Sequence, residues 1–362
     1  MALSRVRLRY TVRRISCEAI RVAAFTATLL AVATPDDAAA AASKAPWPPA
    51  LLSQTGLFIG APQKLDAQVR RYSPQYPLWS DGATKRRWIG LPHGAVIDAT
   101  DAEAWVFPPG TRFWKEFSWA GKKVETRYLE KIGPARWLYA TYAWNDAQTD
   151  ATLVPAEGHK RHVEIAPGVF HDLPSHDDCR ACHEGENRDA VLGFDALQLS
   201  PDRDPNAPHA EEVEPGWLNL AKLMAERRLK GAPTAWLEHP PRAVAGSPTA
   251  RAALGYLHGN CWGCHNEKDP VSSVGMSLRV SLVATSEAEQ PAVRTALGKR
   301  SKYQIPGVAP GESQRIAPGN PAASALFFRM RSRHPLRQMP PLGTKIVDQE
   351  ALALLTRWVA GN

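Results

Sequence analysis

Between about Leu57 and Pro155, apolar and polar residues alternate with a period of two. Lys122 to Ile132 sets Val124, Thr126 and Tyr128 on one face. Arg136 to Trp144 does the same with Leu138, Ala140, Tyr142 and Trp144, and Ala120-Gly121 and Gly133-Pro134 punctuate the runs as turns. Seven of the twelve tryptophans fall between Trp79 and Trp144, and core filling is the simplest use for their rings. This pattern predicts a β-rich antiparallel sandwich or small barrel over residues 43–155.

The period then changes. Residues 156–245 are mixed and loop-rich, with one helical face in Trp217, Leu220, Ala221 and Met224, and a proline-rich stretch from His239 to Pro248 reads as a linker. From Ser247 onward the pattern is helical. Ser247 caps a helix opened by Pro248, with Ala250, Ala253, Leu254 and Leu257 on its face and Gly259 at its end. A second helix is expected from the Asn320 cap, with Ala323, Leu326, Phe327 and Met330 inward. A third runs from Asp348 to Gly361 and buries Ala351, Leu354, Leu355 and Trp358. The fold class expected is α+β and multidomain: a β-rich domain at 43–155, a lobe at 156–245 and an all-α domain at 246–362.

The first 42 residues read as a secretory signal peptide rather than fold. Arg5, Arg7, Arg9, Arg13, Arg14 and Arg21 form a basic start, Val22 to Ala33 is apolar, and an alanine run closes the segment. The apolar stretch is short for a bilayer span, a retained anchor being the rival reading. Cys17 precedes it and so does not read as a lipoprotein cysteine. Six Arg against Glu18, Asp36 and Asp37 leave +5 of the chain's +8 for the remainder, without a basic run interleaved with aromatics of the kind that binds nucleic acid.

Four of the five cysteines lie in two copies of one motif, Cys179-Arg180-Ala181-Cys182-His183 and Cys261-Trp262-Gly263-Cys264-His265. Two thiols three residues apart reach both vinyl groups of one haem, and the adjacent histidine is carried under the iron. A zinc ribbon is the alternative, but its cysteine pairs stand closer in sequence than these and lack the following histidines. Two thioether-linked haem c groups are therefore the expected cofactors. Their propionates would offset most of the remaining positive charge.

The sixth ligand separates electron transfer from catalysis. Met339 suits the second motif, since Arg337-Gln338-Met339-Pro340-Pro341 is a stiff loop on no helical stripe; Met276 is the fallback and Met330 is core. For the first motif the only intervening methionine is Met224, which its helical stripe explains as packing. His171, His176, His209, His239 and His258 are the remaining candidates. Arg279 could pair with a propionate or be a surface arginine, and Glu184, Glu186 and Arg188 follow the first motif closely enough to be considered for proton handling.

At these residues the chain resembles proteobacterial periplasmic di-haem c-type cytochromes that carry an N-terminal β-rich domain. The matching stretches are Tyr76-Pro77-Leu78-Trp79-Ser80-Asp81-Gly82-Ala83 with Lys85, Phe107 to Thr111 with Trp114-Lys115, Thr126-Arg127, and Thr141 to Asn145. Leu173-Pro174-Ser175, Val191 to Phe194, Gln198-Leu199 and Asn260 complete them. The resemblance implies haem attachment at both motifs, Met339 as distal ligand of the second, and a periplasmic location. It implies no settled ligand for the first and no established reaction.

The function expected is electron transfer between redox partners that dock transiently. One alternative is a peroxidase-like or other haem oxidoreductase with an open first iron, although the familiar di-haem peroxidases are all-helical and lack a β domain. Another is a haem relay that docks a dehydrogenase through the β domain.

Overall fold

The alternation at 122–144 becomes two long antiparallel strands whose neighbours extend the sheet on both sides. The computed structural model describes residues 48–60, 63–184, 189, 191–267 and 271–361. The expected leader, with Cys17, lies outside the described residues, as do Glu186 and Arg188. Strands β1 (Phe58–Ile59) and β2 (Lys64–Leu65) form a short ribbon. Strands β3 (Val69–Tyr72) and β4 (Thr84–Gly90) begin the main sheet. After β5 (Ile97–Asp98) it continues with β6 (Arg112–Trp119), β7 (Lys122–Gly133), β8 (Arg136–Trp144) and β9 (Ala151–Leu153), in the order β3-β4-β6-β7-β8-β9. A ribbon of β10 (His159–Ala166) and β11 (Val169–Leu173) follows, and β12 (Leu229–Lys230) pairs in parallel with β5.

The two faces of the sheet do different work. Trp88, Trp114, Tyr128, Ala140, Tyr142 and Trp144 pack on Leu52 and Leu57. On the opposite face, Ile89 and Phe113 join Tyr72, Phe107, Phe194, Leu220 and Leu223. The expected sandwich or barrel is thus one open six-stranded sheet, and its second face is covered by loops and the helix α2 (Leu220–Ala225) rather than by another sheet.

Helix α1 (His176–His183) carries the first motif. After residue 247 the described chain holds the helices α3 (Pro248–Asn260), α4 (Pro291–Ala296), α5 (Ala325–Arg331) and α6 (Gln349–Ala360). Ser247 and Asp348 cap α3 and α6 as expected, each accepting a backbone N–H three residues on. Leu254 and Leu257 of α3, Phe327 of α5 and Leu355 and Trp358 of α6 share one core. The molecule is thus mixed α and β, with a sheet-dominated N-terminal region. Among the described residues no helix is long and apolar enough to cross a membrane.

Several local expectations change. Gly259 lies inside α3, because a Cβ there would meet the carbonyl oxygen of Tyr76 at 2.2 Å; the helix ends at the cap Cys261. Helix α2 begins after the Asn219 cap, which leaves Trp217 outside, and it buries Leu220 and Leu223 rather than the stripe through Ala221 and Met224. The helix expected from Asn320 is broken at Ser324, whose buried hydroxyl donates to the Asn320 carbonyl and accepts the Ala317 N–H. The proline-rich stretch is no free linker, since Ala243 is buried in the helical core.

Candidate functional site

Ser175 and Asp178 form a reciprocal capping box that starts α1: the Ser175 hydroxyl accepts the Asp178 N–H at 3.1 Å, and the Asp178 carboxylate accepts the Ser175 N–H at 3.0 Å. Cys179 and Cys182, three apart, share one side of this helix. The Cys179 thiol hydrogen-bonds Thr141 on β8, and the His183 ring lies 5.8 Å from that of Tyr139. Beyond the motif, Asp189 accepts from Lys131 at 2.6 and 2.8 Å, from the Trp137 indole at 2.8 Å and from the Phe107 N–H at 2.7 Å. The first motif is thereby held against the sheet from both ends.

The second motif folds as a tight turn from the end of α3. The Cys264 and His265 N–H groups both donate to the Cys261 carbonyl, and the His265 carbonyl accepts from Leu278. Trp262 stacks on His258 at 4.9 Å and 10°. His265 Nδ1 is buried without a hydrogen-bond partner. Burial, with Arg329 and Arg315, pushes the His265 imidazole down to about 4, which keeps it in the neutral, lone-pair-donating form.

The two motifs, 78 residues apart in sequence, meet in space. The Cys182 thiol is hydrogen-bonded to Cys264; that contact and burial raise its pKa. Burial also raises that of Cys179, and burial with Cys264 pushes Cys261 up to about 12. Leu192, just after the first motif, lies 3.5 Å from where a Cβ on Gly263 would stand. The donor set suits haem, since each motif offers paired thiols beside one imidazole.

Met339 follows α5 in a half-buried position, and its N–H donates to the Arg329 carbonyl at 3.0 Å. The loop after it is held by Asp81, whose carboxylate accepts the Lys345 and Ile346 N–H groups at 2.9 Å. Trp79 adds its indole to the Ile346 carbonyl at 3.0 Å, while its own N–H goes to Asn260 at 2.7 Å. The stretch from Tyr76 to Asp81 thus ties the sheet to α3 and to the segment after Met339. Met330 is buried in the helical core, Met276 packs against it, and Met224 packs against the core of the sheet.

The histidines considered for the first iron are variously placed. His171 bonds Glu125 at 3.1 Å and lies tilted against the Trp119 ring, and His209 sits 3.0 Å from Asp348. His258 accepts the Val280 N–H at Nδ1 and turns Nε2 toward Asp195 at 3.5 Å. His176 and His239 are exposed. Arg279 is ion-paired with Glu103, and Glu184 forms an exposed pair with Arg180 at 2.8 Å.

One constellation escaped the sequence reading. On the sheet face toward α1, Arg87, Lys115 and Arg127 stand directly opposite one another across β4, β6 and β7, with Thr141 next on β8. Lys85 lies on the same face two residues from Arg87. Comparison with family models, with curated proteins and with solved structures finds no match to this chain.

Proposed function

We propose that the chain is an exported, periplasmic di-haem c-type cytochrome that carries electrons between redox partners. One haem would be attached at Cys179 and Cys182 over His183. The other would be attached at Cys261 and Cys264 over His265, with Met339 as its distal ligand. In this reading residues 156–245 form the first haem lobe and residues 246–362 an all-α cytochrome c domain. The observation that carries the proposal is the contact between Cys182 and Cys264, which brings two separately encoded attachment motifs together.

When bound, haem supplies one-electron redox chemistry that side chains lack. The chain's own residues attach, orient and shield it. Helix α1 presents Cys179 and Cys182 toward the sheet, Asp189 secures the chain beyond His183, and Asp81 fixes the segment that follows Met339. A Met thioether opposite His raises the reduction potential and suits electron transfer.

A haem oxidoreductase with an open first iron is the competing reading. It is favoured by the acidic partners that engage His171, His209 and His258. Mass and haem content of the exported protein, followed by ferric and ferrous spectra with and without carbon monoxide and peroxide, test both. Two attached, six-coordinate low-spin haems that ignore both ligands support the carrier. One high-spin haem that binds carbon monoxide moves the function to the oxidoreductase, and a chain without attached haem removes both.

A further inference from the structure

Arg87, Lys115 and Arg127 form a single cross-strand row, each directly opposite the next. Neighbouring strands are about 4.8 Å apart, so the three cations repel one another at close range. Arg87 and Lys85 are almost fully buried, whereas Lys115 and Arg127 are half-buried and still reachable. Such a row is retained at a loss of stability unless an anion completes it.

The carboxylates in contact do not complete it. Glu125 holds Arg127 at 2.7 Å but is shared with His171, and Glu211 holds one nitrogen of Arg87 at 3.3 Å. The second terminal nitrogen of Arg87 is buried without a hydrogen-bond partner. Among the described residues, Lys115 lies over the Phe117 ring, 4.9 Å away, and Lys85 donates to the Leu78 carbonyl at 2.7 Å. Two contacting carboxylates therefore face four basic side chains, and burial with the neighbouring Arg87 pushes the Lys85 amine down to about 7. Burial and the surrounding Arg87, Lys85 and Arg127 charges hold the Lys115 amine well below its ordinary range.

The row points at the first motif. Its next member is Thr141, which bonds the Cys179 thiol, and the Arg127 guanidinium is close enough to feel both Cys179 and Cys182. Moving from Thr141 along the row leads away from the thiols by about one strand spacing to Arg127 and two to Lys115. A porphyrin anchored through its vinyl edge at those thiols carries its two carboxylates on the remote edge.

We infer that the row Arg87, Lys115 and Arg127, backed by Lys85, is a carboxylate-binding wall that receives the propionates of the haem attached at Cys179 and Cys182. The sheet then acts as one side of the first haem site. This inference rests on the haem reading above and deepens it.

The test is a spectroelectrochemical titration of the exported holoprotein and of its Lys115→Met and Lys115→Arg variants, in chloride and then in acetate at equal ionic strength. Removing the positive charge should lower the midpoint potential of one haem and leave the other in place. Lys115→Arg should restore the wild-type value, and acetate should change nothing. Lys115→Gln serves where the methionine variant does not accumulate. Unchanged potentials in the charge-removing variant overturn the inference. So does a wild-type potential that moves with acetate and stops moving in Lys115→Met, because the row then serves a diffusible carboxylate. Haem content is measured first on the same samples; a haem-free wild type refutes the function proposed above rather than the role of Lys115.

Discussion

Tyr76 fills the space that a side chain at position 255 would need: a Cβ on Gly255 would come within 2.0 Å of the tyrosine ring. The ring is held there, with its hydroxyl 3.1 Å from Asp204. Gly255→Ala should therefore destabilise the protein by roughly 1–3 kcal/mol, the usual range for overpacking a filled site. Urea unfolding of Gly255→Ala, Tyr76→Ala and the double variant checks this. The double variant should lose less than the sum of the singles, because the added methyl then enters the space the ring leaves. Strict additivity would show that the two residues do not share that space.

On the proposed role of Met339, Asp81 should matter to ligation as well as to stability. Its carboxylate satisfies two backbone N–H groups in the segment after Met339, and each buried donor left without a partner costs about 1–3 kcal/mol. Asp81→Ala is expected to loosen that segment and, if Met339 ligates a haem at the second motif as proposed, to weaken that coordination and let carbon monoxide reach the iron. Asp81→Asn keeps an acceptor oxygen and should lie between. A variant of full Met ligation and reduced stability would confine Asp81 to folding.

Acid should act through Glu125. Burial pushes its carboxyl pKa up, but Arg127 and His171 outweigh burial and bring it from 4.5 to about 2. A carboxylate depressed in the folded state contributes its stabilisation above the unfolded value and loses it as pH falls toward the folded one. The window is therefore pH 4.5 down to about 2. A shift of this size corresponds to roughly 3 kcal/mol, which Glu125→Gln should lack. Unfolding free energy measured across that window in the two proteins should converge as the pH falls. Parallel curves would show that Glu125 is not the group responsible.

Asp189 is the sole carboxylate paired with the buried Lys131 among the described residues, and it also takes the Trp137 indole and the Phe107 N–H. Asp189→Ala leaves a lysine that is 1 % exposed without its counter-charge, a loss of about 3–5 kcal/mol. Lys131→Met combined with Asp189→Ala should recover part of it. The urea midpoint should move without a change of slope, and on the proposed di-haem reading the spectrum of one haem should change as well.

What the sequence disclosed depended on the range of the forces involved. The hairpin of β7 and β8 and the capped helices α3 and α6 are set by residues a few positions apart, and their patterns were readable along the chain. Gly259 was misread as a helix stop because its real constraint, the Tyr76 carbonyl, is remote in sequence. The helix at Asn320 was overextended because the buried Ser324 hydroxyl competes for backbone partners that only the folded core supplies. The motifs themselves were plain, but the approach of Cys182 to Cys264 was not. Nor was the cation row, since Arg87, Lys115 and Arg127 become neighbours only once strand register is fixed.

The pairing of β5 with β12 reaches past the sheet. Ile97 lies beside Leu229 in a parallel register, so a strand that follows the first motif is completed by one that precedes it. The first two of the segments expected from the sequence thus share a strand pairing and an apolar core. A gene split near residue 155 would leave Ile97, Leu220 and Leu223 uncovered, because they share one apolar core. Fusion partners and affinity tags therefore belong at the C-terminal end rather than between the sheet and the first Cys-x-x-Cys-His motif.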